Sequence, residues 1–270
     1  MPHRPFPRLI ATDLDGTLLR RGGTVSPRTV RALRAAVGAG AEVVIVTARP
    51  PRYIDAVAAA TGVTGTAVCS NGAQLYDIAP RTVISSRALA LPTARRLADM
   101  LAESAPGLGF AVETGHQIRY EPAYQLRHGE HLSAESPVAS LADLWLLEAP
   151  IVKLLAHSTL FEAEALVAMA EQAAGGEAQF THSGGRGLLE ISAAGVTKAD
   201  ALAALCAERG ISASEVVAFG DMPNDLSFLS WAGMPYAMGN AHPDVLAAVP
   251  RRTASNEEDG VAEVLERLFA

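Results

Sequence analysis

Short apolar runs alternate with amphipathic stretches along the start of the chain. Leu9-Ile10-Ala11 and Glu42-Val43-Val44-Ile45-Val46 are short and largely apolar, which suits strands buried on both faces. Between them Ser26 caps a helix that opens at Pro27 and runs to about Gly38. A second helix is expected over Arg52 to Ala60. A third strand follows over Thr66 to Cys69 and is closed by the turn Ser70-Asn71-Gly72. Strand and helix taking turns in this way predict βαβ units and a parallel sheet.

The texture then changes. Leu75 to Leu89 reads as a hairpin leading out of the sheet, with Asp77-Ile78-Ala79-Pro80 as its turn. Pro92 opens an amphipathic helix to about Ser104, followed by strands over Gly109 to Glu113 and Gln117 to Tyr120. Glu121 to Glu148 is polar and irregular. A strand (Ile151 to Ala156), a helix (Leu160 to Ala173) and two strands (Gln179 to His182, Gly187 to Ile191) come next. A helix followed by two strands, seen twice, suggests a separate α+β module.

Beyond Ile191 the first pattern resumes. Thr197-Lys198 opens a helix through about Arg209, Glu215 to Phe219 is a buried-strand candidate, and Gly220 to Asp225 is an acidic turn at its end. A short helix, a short strand at Pro235 to Met238 and helices at Pro243 to Ala248 and Gly260 to Phe269 complete the chain. The expected fold class is therefore α/β. A doubly wound parallel-sheet core from residues 1–85 and 191–270 is interrupted by an α+β insertion at 86–190.

Charge narrows the partners. A formal net charge of −7 argues against a nucleic-acid or anionic-membrane surface, since both need concentrated positive charge. Two cysteines, Cys69 and Cys206, are too few for a disulfide framework and fit a reducing compartment. Pro2, Pro5 and Pro7 break up the N-terminus before an apolar signal region forms, and no apolar run approaches the ~20 residues of a membrane span. The expectation is a cytoplasmic protein, monomeric or homodimeric, acting on small molecules.

Against that background the polar strand ends stand out. In Asp13-Leu14-Asp15-Gly16-Thr17, two carboxylates spaced by one residue point the same way from an extended chain, just beyond the apolar run. Ligands of open α/β sheets collect there. Asp13 is a candidate nucleophile and Asp15 a candidate acid/base; the competing reading is an ordinary turn after a strand. Thr47, just past the second strand, suits either a phosphate oxygen or a helix cap, and Arg49 follows it. If the acidic turns meet at one sheet edge, Asp13, Asp15, Asp221 and Asp225 crowd together and repel unless a cation lies among them. An all-oxygen set favours Mg²⁺ over zinc. Lys198 can add fixed positive charge to a transferring phosphoryl group or be a solvated surface lysine, while Asn224 and Asp225 can equally cap a helix.

Taken together these motifs resemble the haloacid dehalogenase superfamily, in its Cof-type phosphatase branch with a C2B cap. Asp13-Leu14-Asp15-Gly16-Thr17, Thr47, Lys198 and Gly220-Asp221-Met222-Pro223-Asn224-Asp225 are similar, in order, to its four motifs. Ser70-Asn71-Gly72-Ala73, Gly195-Val196-Thr197-Lys198 and Asn256-Glu257-Glu258-Asp259-Gly260-Val261 resemble further segments of that branch. The resemblance implies a Rossmannoid core and Mg²⁺-dependent hydrolysis of a small phosphorylated metabolite, by preference a sugar phosphate. It implies attack on phosphorus by Asp13 and proton transfer by Asp15. Mg²⁺ would be held by Asp13, the Asp15 main-chain carbonyl and Asp221, with Asp225 or Asn224 in support, while Thr47 and Lys198 grip the phosphate. Ala48, where relatives often carry glycine, makes Arg49 a less secure substrate contact. His116, Arg119, Tyr120, His182 and Arg186 are candidates for specificity contacts in the cap. A phosphomutase and a non-catalytic phosphometabolite binder are the rival readings.

Overall fold

All four residues of Leu9–Thr12 (β1) are fully buried, and because alternate side chains of a strand point to opposite faces, both sides of β1 are covered. The structure, a computed structural model, describes residues 7–124, 135–184 and 187–269. After β1 come α1 (Pro27–Gly38), β2 (Glu42–Val46), α2 (Ile54–Thr61), β3 (Thr66–Cys69), β4 (Gln74–Asp77) and β5 (Thr82–Ser86). Ser26 caps α1 as its sequence suggests, its Oγ accepting the Thr29 N–H at 3.1 Å. Next are α3 (Leu91–Ser104), β6 (Gly109–Glu113), β7 (Ile118–Tyr120), β8 (Glu135–Pro137), α4 (Leu141–Leu144), β9 (Lys153–His157), α5 (Ala163–Ala174), β10 (Ala178–Thr181) and β11 (Leu188–Ala193). The chain ends with α6 (Lys198–Glu208), β12 (Val216–Gly220), α7 (Leu226–Trp231), β13 (Met234–Ala237), α8 (Pro243–Ala248) and α9 (Gly260–Phe269).

These elements form two units, residues 1–85 with 197–270, and residues 86–196. In the first, among the described residues, a seven-stranded sheet runs β13-β12-β1-β2-β3-β4-β5. Pairs from β13 through β3 are parallel, and β4 joins β3 antiparallel, with Cys69 opposite Gln74. The hairpin read from sequence as leaving the sheet therefore extends it. Ser70, Asn71 and Gly72 take φ of 52°, 56° and 97°, three consecutive left-handed residues that reverse the chain at the end of β3. Gly72 is needed there for a second reason, since a Cβ would lie 2.1 Å from the Thr197 carbonyl oxygen.

The second unit holds, among its described residues, a six-stranded sheet in the order β10-β11-β9-β6-β7-β8. Phe110, Val112, Leu154, Ala156, Leu189 and Ile191 share one core with Leu97 and Leu101 of α3 and Leu166 and Ala170 of α5. Ala111, Ile118, Leu155 and Leu188 form a smaller apolar cluster with Tyr124. A buried ion pair, Lys153 Nζ to Glu190 Oε2 at 3.5 Å, joins β9 to β11. The insertion boundary expected at residue 190 falls inside β11, whose Leu188–Ala193 stretch pairs with β9 and β10, so the first unit resumes only at Thr197. The region expected to be irregular contains β8 and α4, a three-residue strand and a single turn too short for periodicity to register.

Candidate active site

β1 lies between β12 and β2, where the order of the parallel sheet turns back on itself. Such a reversal leaves a crevice beyond the carboxyl ends of the strands. Thr12 is in register with Phe219, and the Asp13 amide donates to the Phe219 carbonyl at 3.0 Å. Asp13 and the Gly220-Asp221 turn thus leave neighbouring strands side by side, although two hundred residues of chain, roughly, separate them.

Lys198 stands at the start of α6, whose cap Thr197 accepts the Asp200 amide at 3.1 Å. Far from being a solvated surface residue, it is 1% exposed. Its Nζ donates to Asp13 Oδ1 at 2.7 Å and to Asp225 Oδ1 at 2.5 Å. The other Asp225 oxygen accepts the backbone amides of Asp221 at 2.9 Å and Met222 at 3.0 Å. Asp225 therefore spends both oxygens on holding Lys198 and shaping the acidic turn. Asp221 accepts the Thr17 hydroxyl at 2.8 Å. Gly16, at φ +78°, passes so close that a Cβ would lie 2.2 Å from Asp221 Oδ2, so only glycine fits this turn.

Burial here is electrically expensive. It drives the Asp13 carboxyl well above the usual range, opposed by Lys198 and reinforced by Asp225, Asp221 and Asp15. Burial also pushes Asp221 up to about 7, with Asp225 adding to the rise. Burial would lower Lys198, yet Asp13 and Asp225 outweigh it and hold the ammonium above its ordinary value. Carboxylate atoms of Asp13, Asp221 and Asp225 lie within 4.8 Å of one another, and with all three ionised they set three negative charges against the one ammonium of Lys198. The surplus is negative, the donors are all oxygens, and a hard dication fits both facts.

Thr47 and Arg49 belong to the loop after β2. Thr47 is buried, its carbonyl accepts the Asn71 amide at 3.0 Å, and its hydroxyl accepts the Arg49 amide at 3.1 Å. The Arg49 guanidinium grips Asp15, Nε to Oδ2 at 2.6 Å and Nη2 to Oδ1 at 2.5 Å. The Asn224 side-chain amide donates to Asn71 Oδ1, in the turn after β3, at 3.0 Å. Sequence reasoning assigned no role to Thr17, Asn71 or Asn240, which donates to the Gly16 carbonyl at 2.8 Å. Thr17 and Asn71 lay within recognised segments; nothing local marked Asn240.

The candidate specificity residues are dispersed in the second unit. Arg119 donates to the carbonyls of Leu146 and, at 3.0 Å, Asp143, a commitment to the α4 turn. Tyr120 lies against Tyr124 with ring centres 6.5 Å apart, His182 is buried and His116 is exposed. Arg186 lies outside the described residues.

A family model described as haloacid dehalogenase-like hydrolase matches residues 10–265. The chain belongs to that family. This hydrolase is 32% identical over 267 residues to pyridoxal phosphate phosphatase YbhA of Escherichia coli (strain K12), covering 96% of this chain and 97% of the relative. It is 29% identical to 5-amino-6-(5-phospho-D-ribitylamino)uracil phosphatase YitU of Bacillus subtilis (strain 168), over 98% of both chains. A solved haloacid dehalogenase-like hydrolase from B. subtilis superposes with a TM-score of 0.83 at 26% identity, covering 97% of this chain and 99% of that one. Among the described residues no helix is long and apolar enough to cross a membrane.

Proposed function

We propose that this hydrolase is a Mg²⁺-dependent phosphatase of small phosphorylated metabolites, working through an aspartyl-phosphate on Asp13. The observation that carries the reading is the Lys198 ammonium, buried and bonded to both Asp13 and Asp225 beside Asp221. An anionic nucleophile that must meet an anionic phosphate needs this kind of fixed positive charge.

In the first step an Asp13 carboxylate oxygen bonds to phosphorus and the bond from phosphorus to the leaving-group oxygen breaks, with Asp15 giving the departing oxygen the proton that makes it an alcohol. In the second, water attacks the aspartyl-phosphate, Asp15 takes a proton from it, and the bond to Asp13 breaks to release inorganic phosphate. Lys198 orients Asp13 and carries part of the phosphoryl charge, Thr47 offers its hydroxyl to a phosphate oxygen, and Asp225 keeps Lys198 in place. Mg²⁺, which Asp13, the Asp15 main-chain carbonyl and Asp221 would hold with Asn224 in support, supplies charge that offsets the repulsion between carboxylate and phosphate.

Residues 86–196 act in this reading as a C2B-type cap that selects the leaving group, because the core residues touch only what all phosphoesters share. Sugar phosphates are the first class to test. Pyridoxal phosphate and 5-amino-6-(5-phospho-D-ribitylamino)uracil join them because whole-length relatives bear those names. A screen of these compounds with Mg²⁺, reading inorganic phosphate, tests the function. Asp13→Asn is expected to lower turnover by at least ~10³-fold with an unchanged circular dichroism spectrum. Turnover near wild type in that variant removes the nucleophile assignment, and isomerised product without phosphate release makes the protein a mutase.

A further inference from the structure

The family resemblance offers Arg49 as a substrate contact made less secure by Ala48; in the structure its guanidinium is committed to Asp15 through two parallel bonds of 2.6 and 2.5 Å. Both partners are rooted in the backbone. Arg49 donates its amide to the Thr47 hydroxyl at 3.1 Å, and its carbonyl accepts the amide of Ser70, a buried left-handed residue, at 3.0 Å. The Tyr53 ring lies 5.5 Å from the guanidinium carbon, a distance at which a cation is attracted to an aromatic face. On the other side Asp15 sits in a tight turn closed by the Leu19 amide on the Leu14 carbonyl at 2.8 Å, with a bridge between Asp15 and Leu19.

Stability gives little reason for so constructed a pair. Its side chains are 32% and 53% exposed, and ion pairs so placed contribute about 0–1 kcal/mol. What a bidentate fork does supply is direction, because it fixes the plane of the carboxylate as well as its distance. A proton-transfer group depends on that orientation, since it must face the leaving oxygen in one step and water in the next.

We propose that Arg49 is a positioning residue for Asp15, holding the plane of the acid/base carboxylate, and is not a ligand of the substrate phosphate. The inference rests on Asp15 being the proton-transfer group of the proposed reaction. It separates two fates for the same arginine. A phosphate ligand affects every ester alike and changes the affinity for inorganic phosphate. A positioning residue matters only where Asp15 matters, in protonating a poor leaving group and in activating water.

The test is a double-mutant cycle of Arg49→Ala and Asp15→Asn with Mg²⁺ present, on the best alkyl phosphate from the screen and on p-nitrophenyl phosphate. p-Nitrophenolate departs without a proton, and kcat/KM reports the step in which it leaves. For Arg49→Ala we expect kcat/KM on the alkyl ester to fall about 10- to 100-fold, and on p-nitrophenyl phosphate less than about 3-fold. The inhibition constant of inorganic phosphate stays within about 2-fold, and adding Arg49→Ala to Asp15→Asn costs no more than about 3-fold further. Arg49→Lys, which keeps the charge and loses the fork, recovers only part of the alkyl-ester rate. Equal losses on both esters, a phosphate inhibition constant raised about 10-fold or more, or full recovery by lysine each overturn the positioning role. If Asp15→Asn alone retains wild-type activity, the acid/base assignment falls and takes this inference with it, an outcome recognisable before Arg49 is touched.

Discussion

The raised Asp221 carboxyl has a consequence for folding that can be measured without any substrate. Its ordinary value is 3.8 and burial, with Asp225 beside it, lifts it to about 7 in the folded metal-free chain. Between those values the folded protein holds a proton that the unfolded chain has released. This contribution is therefore fully present below about 4, is lost as pH rises toward 7, and levels off above it. A rise of that size amounts to roughly 4 kcal/mol over the whole range, and the part between pH 5 and pH 8 to about 3 kcal/mol. For a protein of this size that corresponds to a fall in Tm on the order of 8 °C. The assay is thermal unfolding by circular dichroism in chelator from pH 5 to pH 8, on wild type and Asp221→Asn. The wild type should lose stability with rising pH, and the variant should lose clearly less, its remaining slope coming from Asp13, which is raised in the same direction. Mg²⁺ selects the ionised carboxylates, so it should stabilise strongly at pH 8, by about 2.7 kcal/mol at a hundredfold excess over its Kd, and much less at pH 5. Parallel curves for the two proteins, or equal stabilisation by Mg²⁺ at both pH values, would refute the reasoning.

Lys198→Ala strands Asp13 and Asp225 in a buried setting. It should cost about 3–5 kcal/mol in urea unfolding at pH 8 and at least ~10²-fold in kcat, whereas a surface lysine would cost neither. Gly16→Ala places a methyl group on Asp221 at a left-handed position, and a Mg²⁺ titration by calorimetry should register at least ~10-fold weaker binding. Removing metal with chelator should stop phosphate release, and Mg²⁺ should restore it; undiminished release in chelator would contradict the dication in the proposed site.

Some of this was legible in the chain and some was not, for identifiable reasons. Glu42–Val46 could be delimited to the residue because a β-branched run lies between a glycine and a polar segment. The Asp13 and Asp221 turns could be paired because a doubly wound sheet brings strand ends together regardless of sequence distance. The β4 to β5 hairpin was assigned the wrong direction because three successive positive φ angles at Ser70, Asn71 and Gly72 cannot be read from their side chains, two of which are not glycine. For Thr47 the sequence offered a cap or a ligand and no partner; its hydroxyl accepts the Arg49 amide, two residues on, a bond set by the local turn of the loop. Lys198 looked like a surface residue taken singly, and its burial depended on partners 185 and 27 residues away. Arg49 could be placed in the loop beside Asp15 but its bidentate pair with that carboxylate could not, since a motif gives the loop and not the hydrogen bond.

The close approach of Gly72 to the Thr197 carbonyl also bears on how this chain could diversify. Thr197 is the first residue after the inserted unit, and the lysine that steadies the nucleophile is the very next one. With the backbone at that re-entry point pressed against a glycine of the core, whatever is spliced in ahead of it can change in length and chemistry without passing the disturbance on to Lys198. Grafts of foreign modules joined at Val196 should keep the hydrolytic machinery in register, whereas a bulkier side chain at position 72 should undo that tolerance even with the native insertion in place.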